Sequence, residues 1–173
     1  MQIKFLGMIA ISCCFIAQKV SAGVEGEWVR VSHGEIPEHA FLLENQSVIC
    51  RAPQSKGVYP GYLIHESRAC ILNVAGRAVK AIFYEVLLGD NYQWQPFSRG
   101  YVETIPPNAV LGGTEDPHYD RALYICRAKM QQKEWVIGKL SNPLRGCQIN
   151  HNNREHSSLD FEILISTSTT QMK

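Results

Sequence analysis

An all-β fold is what this sequence predicts, and three observations predict it. Apolar residues alternate with period two in Trp28-Val29-Arg30-Val31 and in Leu123-Tyr124-Ile125-Cys126-Arg127, the pattern of a half-buried strand. Val79 to Leu87 is rich in β-branched and aromatic residues between Gly76 and Gly89, which again reads as strand. Pro60-Gly61, Gly112-Gly113, Asn142-Pro143 and Gly146 break the chain at hairpin intervals, and no window carries a convincing helical stripe.

The N-terminal segment reads as an address. Lys4 precedes an almost continuously apolar run from Phe5 to Ala17, and Val20-Ser21-Ala22 supplies small residues for a signal peptidase. Residues 1–22 are therefore expected to be a signal peptide, cleaved before Gly23, and the mature protein to be secreted. The run is short for a membrane span of roughly 20 residues, so no span is expected after cleavage; an uncleaved anchor is the alternative. Removing 22 of the 173 residues leaves 151, and losing Lys4 and Lys19 takes 17 basic residues to 15 against 16 acidic ones. A nucleic-acid partner is not expected, because phosphate binding draws on a basic excess.

Cysteine usage fits an oxidising compartment. Beyond the leader stand Cys50, Cys70, Cys126 and Cys147, an even count that suggests disulfides and allows three pairings. Cys50 to Cys70 spans 20 positions and Cys126 to Cys147 spans 21. The near-equality favours one bridge within each half, each stabilising by about 3 kcal/mol in the chain-entropy model.

The chain also repeats itself. Ile36-Pro37-Glu38-His39-Ala40-Phe41 recurs as Ile105-Pro106-Pro107-Asn108-Ala109-Val110, and Ile49-Cys50-Arg51-Ala52 recurs unchanged as Ile125-Cys126-Arg127-Ala128. Tyr84-Glu85-Val86-Leu87 matches Phe161-Glu162-Ile163-Leu164, Pro60-Gly61-Tyr62 falls opposite Ile137-Gly138-Lys139, and Trp28 and Trp94 open the copies. The shift between copies grows from 69 to 76, which places a seven-residue insertion between Val110 and Leu123. We read two tandem units of about four short antiparallel strands each, over 27–88 and 93–165, packed against each other into one compact body because so few strands bury only one face. Residues 166–173 read as a polar tail.

These ordered elements resemble the DM9 repeat. In copy two they are Trp94, Ile105-Pro106, Gly112-Gly113 followed by acids, Tyr124-Ile125-Cys126-Arg127-Ala128, Gly138-Lys139 and Phe161-Glu162-Ile163-Leu164. The resemblance covers essentially the whole mature chain. It implies an all-β tandem-repeat protein from a family that includes mannose-binding lectins recognising microbial surfaces.

A neutral sugar presents hydroxyls, which carboxylates accept from and a lysine ammonium donates to. Copy two offers both: the insertion Thr114-Glu115-Asp116-Pro117-His118-Tyr119-Asp120, and Gly138-Lys139, where the glycine lets backbone come close. The resemblance implies an acid after Gly-Gly, either Glu115 or its neighbour Asp116, acting with Lys139. Asp120 joins the set as the third acid of the insertion, and Glu134 and Glu155 stand where family members often carry acids. Copy one departs from the pattern: it lacks the glycine pair, carries Tyr62 in place of the lysine, and has Ala78 opposite Glu155. One sugar site per chain follows, so avidity on a glycan surface would call for homo-oligomers. The rival expectation is a secreted structural or interaction protein that keeps the fold without sugar recognition.

The remaining features are weaker. Asn45-Gln46-Ser47 is the sole glycosylation sequon. His151 and His156 flank Asn152-Asn153-Arg154-Glu155, a spacing that brings two imidazoles together only on suitable geometry and reads better as a solvated hairpin tip, so no metal is expected. There is no nucleophile elbow and no phosphate-cradling glycine loop, so neither an enzyme nor a cofactor is expected.

Overall fold

The computed structural model describes residues 23–98, 104–119, 121–130, 134–141 and 146–168. The expected leader, residues 1–22, and the acid at Asp120 lie outside them. The described chain is all-β and compact, with fourteen strands and two single 3-10 turns. The first half contains β1 (Val24–Glu25), β2 (Glu27–Ser32), β3 (Val48–Gln54), β4 (Gly57–Leu63), β5 (Cys70–Val74), β6 (Arg77–Ala81) and β7 (Phe83–Leu88). The second contains β8 (Tyr92–Ser98), β9 (Val110–Thr114), β10 (Ala122–Met130), β11 (Glu134–Ser141), β12 (Cys147–His151), β13 (Arg154–Ser158) and β14 (Asp160–Ser166). These outnumber the four per unit that the sequence predicts. The surplus lies in short hairpins such as β12–β13, where β13 is mostly exposed and carries no apolar alternation.

Matching strands of the two halves make matching pairs. β3 lies between β4 and β7 as β10 lies between β11 and β14, and β5 extends β4 as β12 extends β11. β2 closes on β7 and β8 on β14. The halves join where β4 meets β9 at Val58 and Thr114. One pairing departs from the expected antiparallel order: β1 runs parallel to β9, Val24 beside Val110. β14 also reaches one residue into the expected polar tail, burying Ser166.

Period two explains why Ile-Cys-Arg-Ala occurs in both halves. Val48, Cys50 and Ala52 point into one apolar cluster, and Tyr124, Cys126 and Ala128 into another. Ile49 and Ile125, on the opposite face, join Leu87, Val110, Ile137 and Leu164 in a third cluster between the halves. A side chain of this size contributes about 1.5–3 kcal/mol when fully buried. The disulfides pair Cys50 with Cys70 and Cys126 with Cys147, the pairing that the spacing favours.

The arginine of each motif shares the isoleucine face and is held by charge and aromatic rings together. Arg51 lies 4.2 Å from the Trp28 ring and 2.7 Å from Glu85. Arg127 lies 4.5 Å from Trp94, 4.3 Å from Trp135 and 2.6 Å from Glu162. The largest influence on Glu85 is burial, which raises its carboxyl. The hydrogen bonds and charges of Arg51, followed by those of Arg30, outweigh burial and hold it below the ordinary 4.5. A carboxylate lowered in the folded state stabilises fully above its unfolded value and loses that contribution as pH falls through the folded one. Glu85→Gln is therefore expected to flatten the fall of melting temperature below pH 4.5, read from thermal melts across the acid range. An unchanged acid limb would remove Glu85 from this role.

Candidate functional site

The end of β9 is pressed against the start of β4. A Cβ on Gly113 would lie 2.1 Å from the Val58 carbonyl oxygen, and Gly113 has a φ of +148°, so only glycine fits there. This contact carries the loop after Thr114 across to the first half. The Glu115 amide donates to the Arg121 carbonyl at 2.9 Å and closes the loop. Asp116 accepts from the His118 amide at 2.9 Å and so pins the 3-10 turn Pro117–Tyr119.

Lys139 comes from β11, between Ile125 of β10 and Gln148 of β12. It is 3% exposed. Its Nζ lies 3.6 Å from Glu115 Oε1, 4.0 Å from Glu155 Oε2 and 5.2 Å from the Tyr59 ring centroid. The carboxylates are about 30% exposed, so the amine sits at the base of the cluster with the acids nearer water. Among the described residues it has ion-pair contacts with both carboxylates but no hydrogen bond of ordinary length. Burial, followed by the charges of Glu115 and Asp116, raises the Tyr59 hydroxyl above 10.0, which places both acids near its ring.

The sequence-predicted residues therefore separate. Glu115, Lys139 and Glu155 come together, and Asp116 is close but engaged with the loop backbone. Glu134 is not part of the cluster. It is exposed and lines a cavity of about 350 Å³ with Glu44, Arg127 and Trp135. Five positions from Lys139 on one strand, it falls on the opposite face by period two.

Two residues of the cluster were missed. Tyr59 lies in the first half, on β4, which packs against β9 and against β11, the strand of Lys139. Asn73 is 4% exposed; its Nδ2 donates to the Gln148 carbonyl at 3.4 Å, beside Lys139. Its Oδ1 is buried with no hydrogen-bond partner among the described residues. The site thus holds an ammonium donor and two carboxylate acceptors in one place, with buried Asn73 bonded to the neighbouring strand.

Asn45 is exposed, and its Oδ1 accepts from the amide and hydroxyl of buried Ser47, the latter at 2.6 Å. His151 and His156 rings stand 6.4 Å apart, and the described residues contain no set of three or more groups arranged for a metal.

A family model of the DM9 repeat matches residues 44–158, from Glu44 through the Lys139 cluster to the end of β13. The chain belongs to the DM9 repeat family. No curated protein matches it. The DM9 match contains both disulfides, Tyr59, Glu115, Lys139 and Glu155, so the cluster lies within the shared part of the fold.

Proposed function

We propose that this DM9 protein is a secreted carbohydrate-binding protein of mannose type, with its sugar site at Glu115, Lys139 and Glu155. The spacing of Lys139 carries the reading. A hydroxyl that accepts from an ammonium and donates to a carboxylate makes two bonds of about 2.5–2.9 Å. The gaps of 3.6 Å from Lys139 to Glu115 and 4.0 Å to Glu155 are longer than a direct charged hydrogen bond, and a hydroxyl that spreads either pair to about 4.4 Å would bridge it. Neighbouring sugar hydroxyls would satisfy both while Tyr59 covers one side. Asp116, close to Tyr59, would add a further acceptor.

A single site of this kind is weak: millimolar affinity corresponds to about 4 kcal/mol. Useful capture of a glycan surface would need several chains acting together. A role in recognising microbial surfaces rests on the family resemblance alone.

One observation favours the rival reading of an interaction protein without sugar recognition. At 3% exposure, Lys139 can also serve as the buried centre of a structural charge cluster. Calorimetry with mannose and a multivalent mannose-bead assay separate the two. Lys139→Ala should weaken binding at least about tenfold, a loss of about 1.4 kcal/mol. Lys139→Met, which keeps the buried stem, should lose the same binding with a smaller change in melting temperature. Unaltered mannose binding in both variants would place the site elsewhere; no binding by the parent chain would favour the rival.

A further inference from the structure

The two arginines of the repeated motif are bonded alike along their edges. Arg51 donates through Nε to Glu85 at 2.7 Å and through Nη1 to Glu25 at 2.6 Å. Arg127 donates through Nε to Glu162 at 2.6 Å and through Nη1 to Glu44 at 3.2 Å. Each also lies over a tryptophan, Trp28 for Arg51 and Trp94 for Arg127. They differ in one respect. Arg127 lies over a second ring, Trp135 at 4.3 Å, whereas among the described residues Arg51 has no second ring.

Strand register gives the reason. Pro60 faces Arg51 as Ile137 faces Arg127, so Val58, two residues before Pro60, holds the place of Trp135, two residues before Ile137. A valine stands where the second half puts an indole. A cavity of about 530 Å³ opens beside Arg51, with apolar walls from Val58, Leu111, Pro117 and Ala122 and with Gly113 and Thr114 of β9. This volume falls within the range of roughly 300–1,000 Å³ found for small-ligand sites. Arg51 lines the cavity and Trp28 does not, so the opening lies away from the ring that already covers the guanidinium. The Arg51 side chain keeps 16% of its surface exposed and is within reach of a ligand.

The other charged groups of the lining, Glu25 and Glu85, are both bonded to Arg51, and Glu85 also takes Arg30 at 3.3 Å. Those bonds run in the guanidinium plane, because its N–H donors do, and they leave its flat face to the cavity. An anion entering there would meet two carboxylates, and a cation would meet the guanidinium. The face of a cation set among apolar walls favours the electron-rich face of an aromatic ring over a saturated group of the same size. The second half of the molecule makes that same choice with its own Trp135.

We propose that this cavity binds a small uncharged aromatic molecule of indole size, stacked on Arg51 as Trp135 is on Arg127. The site is independent of the mannose reading, since it contains neither Glu115, Lys139 nor Glu155. The test uses the full disulfide-bonded chain and two probes that share a skeleton, 2-naphthol and decahydro-2-naphthol. Saturation-transfer NMR reads their affinities. 2-Naphthol should bind at least about fivefold more tightly than its saturated counterpart, and its ring current should move the Arg51 Nε–H signal upfield. Val58→Trp supplies the missing indole and should abolish 2-naphthol binding, with a melting temperature no lower than the parent's. Val58→Ala leaves the cavity open and should keep the binding. Arg51→Met should bring the two probes to equal affinity. Lys139→Ala should leave the preference intact, so a failure of mannose binding and a failure of this site are separately visible. Equal affinity of the parent for both probes, no binding at millimolar probe, undiminished binding by folded Val58→Trp, or a preference retained in Arg51→Met would each overturn the proposal.

Discussion

Gly138→Ala should destabilise the protein by about 3 kcal/mol or more, a large effect for one methyl group. The new Cβ would lie 2.4 Å from the Gln148 carbonyl oxygen, 2.8 Å from Ile149 Cγ2 and 3.0 Å from Cys147 Sγ. All three atoms belong to β12, and the closest is backbone, which cannot rotate away as a side-chain tip can. Relief requires β12 to move off β11 where Gly138 faces Ile149 and Lys139 faces Gln148. That movement is resisted by the bridge from Cys147 to Cys126 on β10. Differential scanning calorimetry should show a clear fall in melting temperature. Sugar binding through Lys139, if present in the parent, should fall with it even below the melt, because the displaced strand carries the Asn73 contact. A variant that melts within about 0.5 kcal/mol of the parent, as neutral surface substitutions do, would mean that the strands have room to spare.

The second large effect should come from Arg127→Ala, at about 3 kcal/mol. The guanidinium is 10% exposed, donates to Glu162 at 2.6 Å and to Glu44 at 3.2 Å, and stacks against Trp94 and Trp135. Removing it leaves Glu162, 19% exposed, without its cation and opens space between two tryptophans. Arg127→Lys should restore little, since an ammonium cannot reproduce a planar fork that bonds carboxylates while lying on rings. Arg51→Ala should cost less. Its partner Glu85 retains Arg30 at 3.3 Å, and among the described residues a single ring, Trp28, stacks on Arg51. Urea melts of the three variants would test the order, and an Arg51→Ala loss equal to or above that of Arg127→Ala would contradict it.

Much of the architecture was legible because the repeated motifs report local facts. Ile-Cys-Arg-Ala marks a strand, although period two suggests burial on one face and β3 and β10 are buried on both because the halves pack together, and the cysteine spacing marks a bridge within each half. Hairpin β12–β13 was not legible, because exposed polar residues such as Arg154 and His156 carry no periodicity to read. Glu115 and Asp116 could not be told apart in a loop of uncertain register. The structure separates them through one hydrogen bond, from the His118 amide to Asp116. Glu134 could have been set aside from its odd spacing to Lys139 alone. Tyr59 and Asn73 could not have been found, since their neighbours in the cluster come from β9 and β12, far along the chain.

The meeting of β4 with β9 at Val58 and Thr114 also sets a timetable for the chain as it is made. The start of β4 waits for its neighbour until the residue at 114 has emerged, and β1 waits for Val110. Strand pairings this distant slow folding, and an edge left open meanwhile invites pairing with another nascent chain. The Cys50–Cys70 bridge closes early by comparison and can hold β3, β4 and β5 together through that interval. The Lys139 cluster is finished later still, when Glu155 arrives. A truncated product can therefore acquire the first disulfide and much of the first core yet lack the completed charge cluster, and only chains whose synthesis has passed β13 carry every group of that cluster.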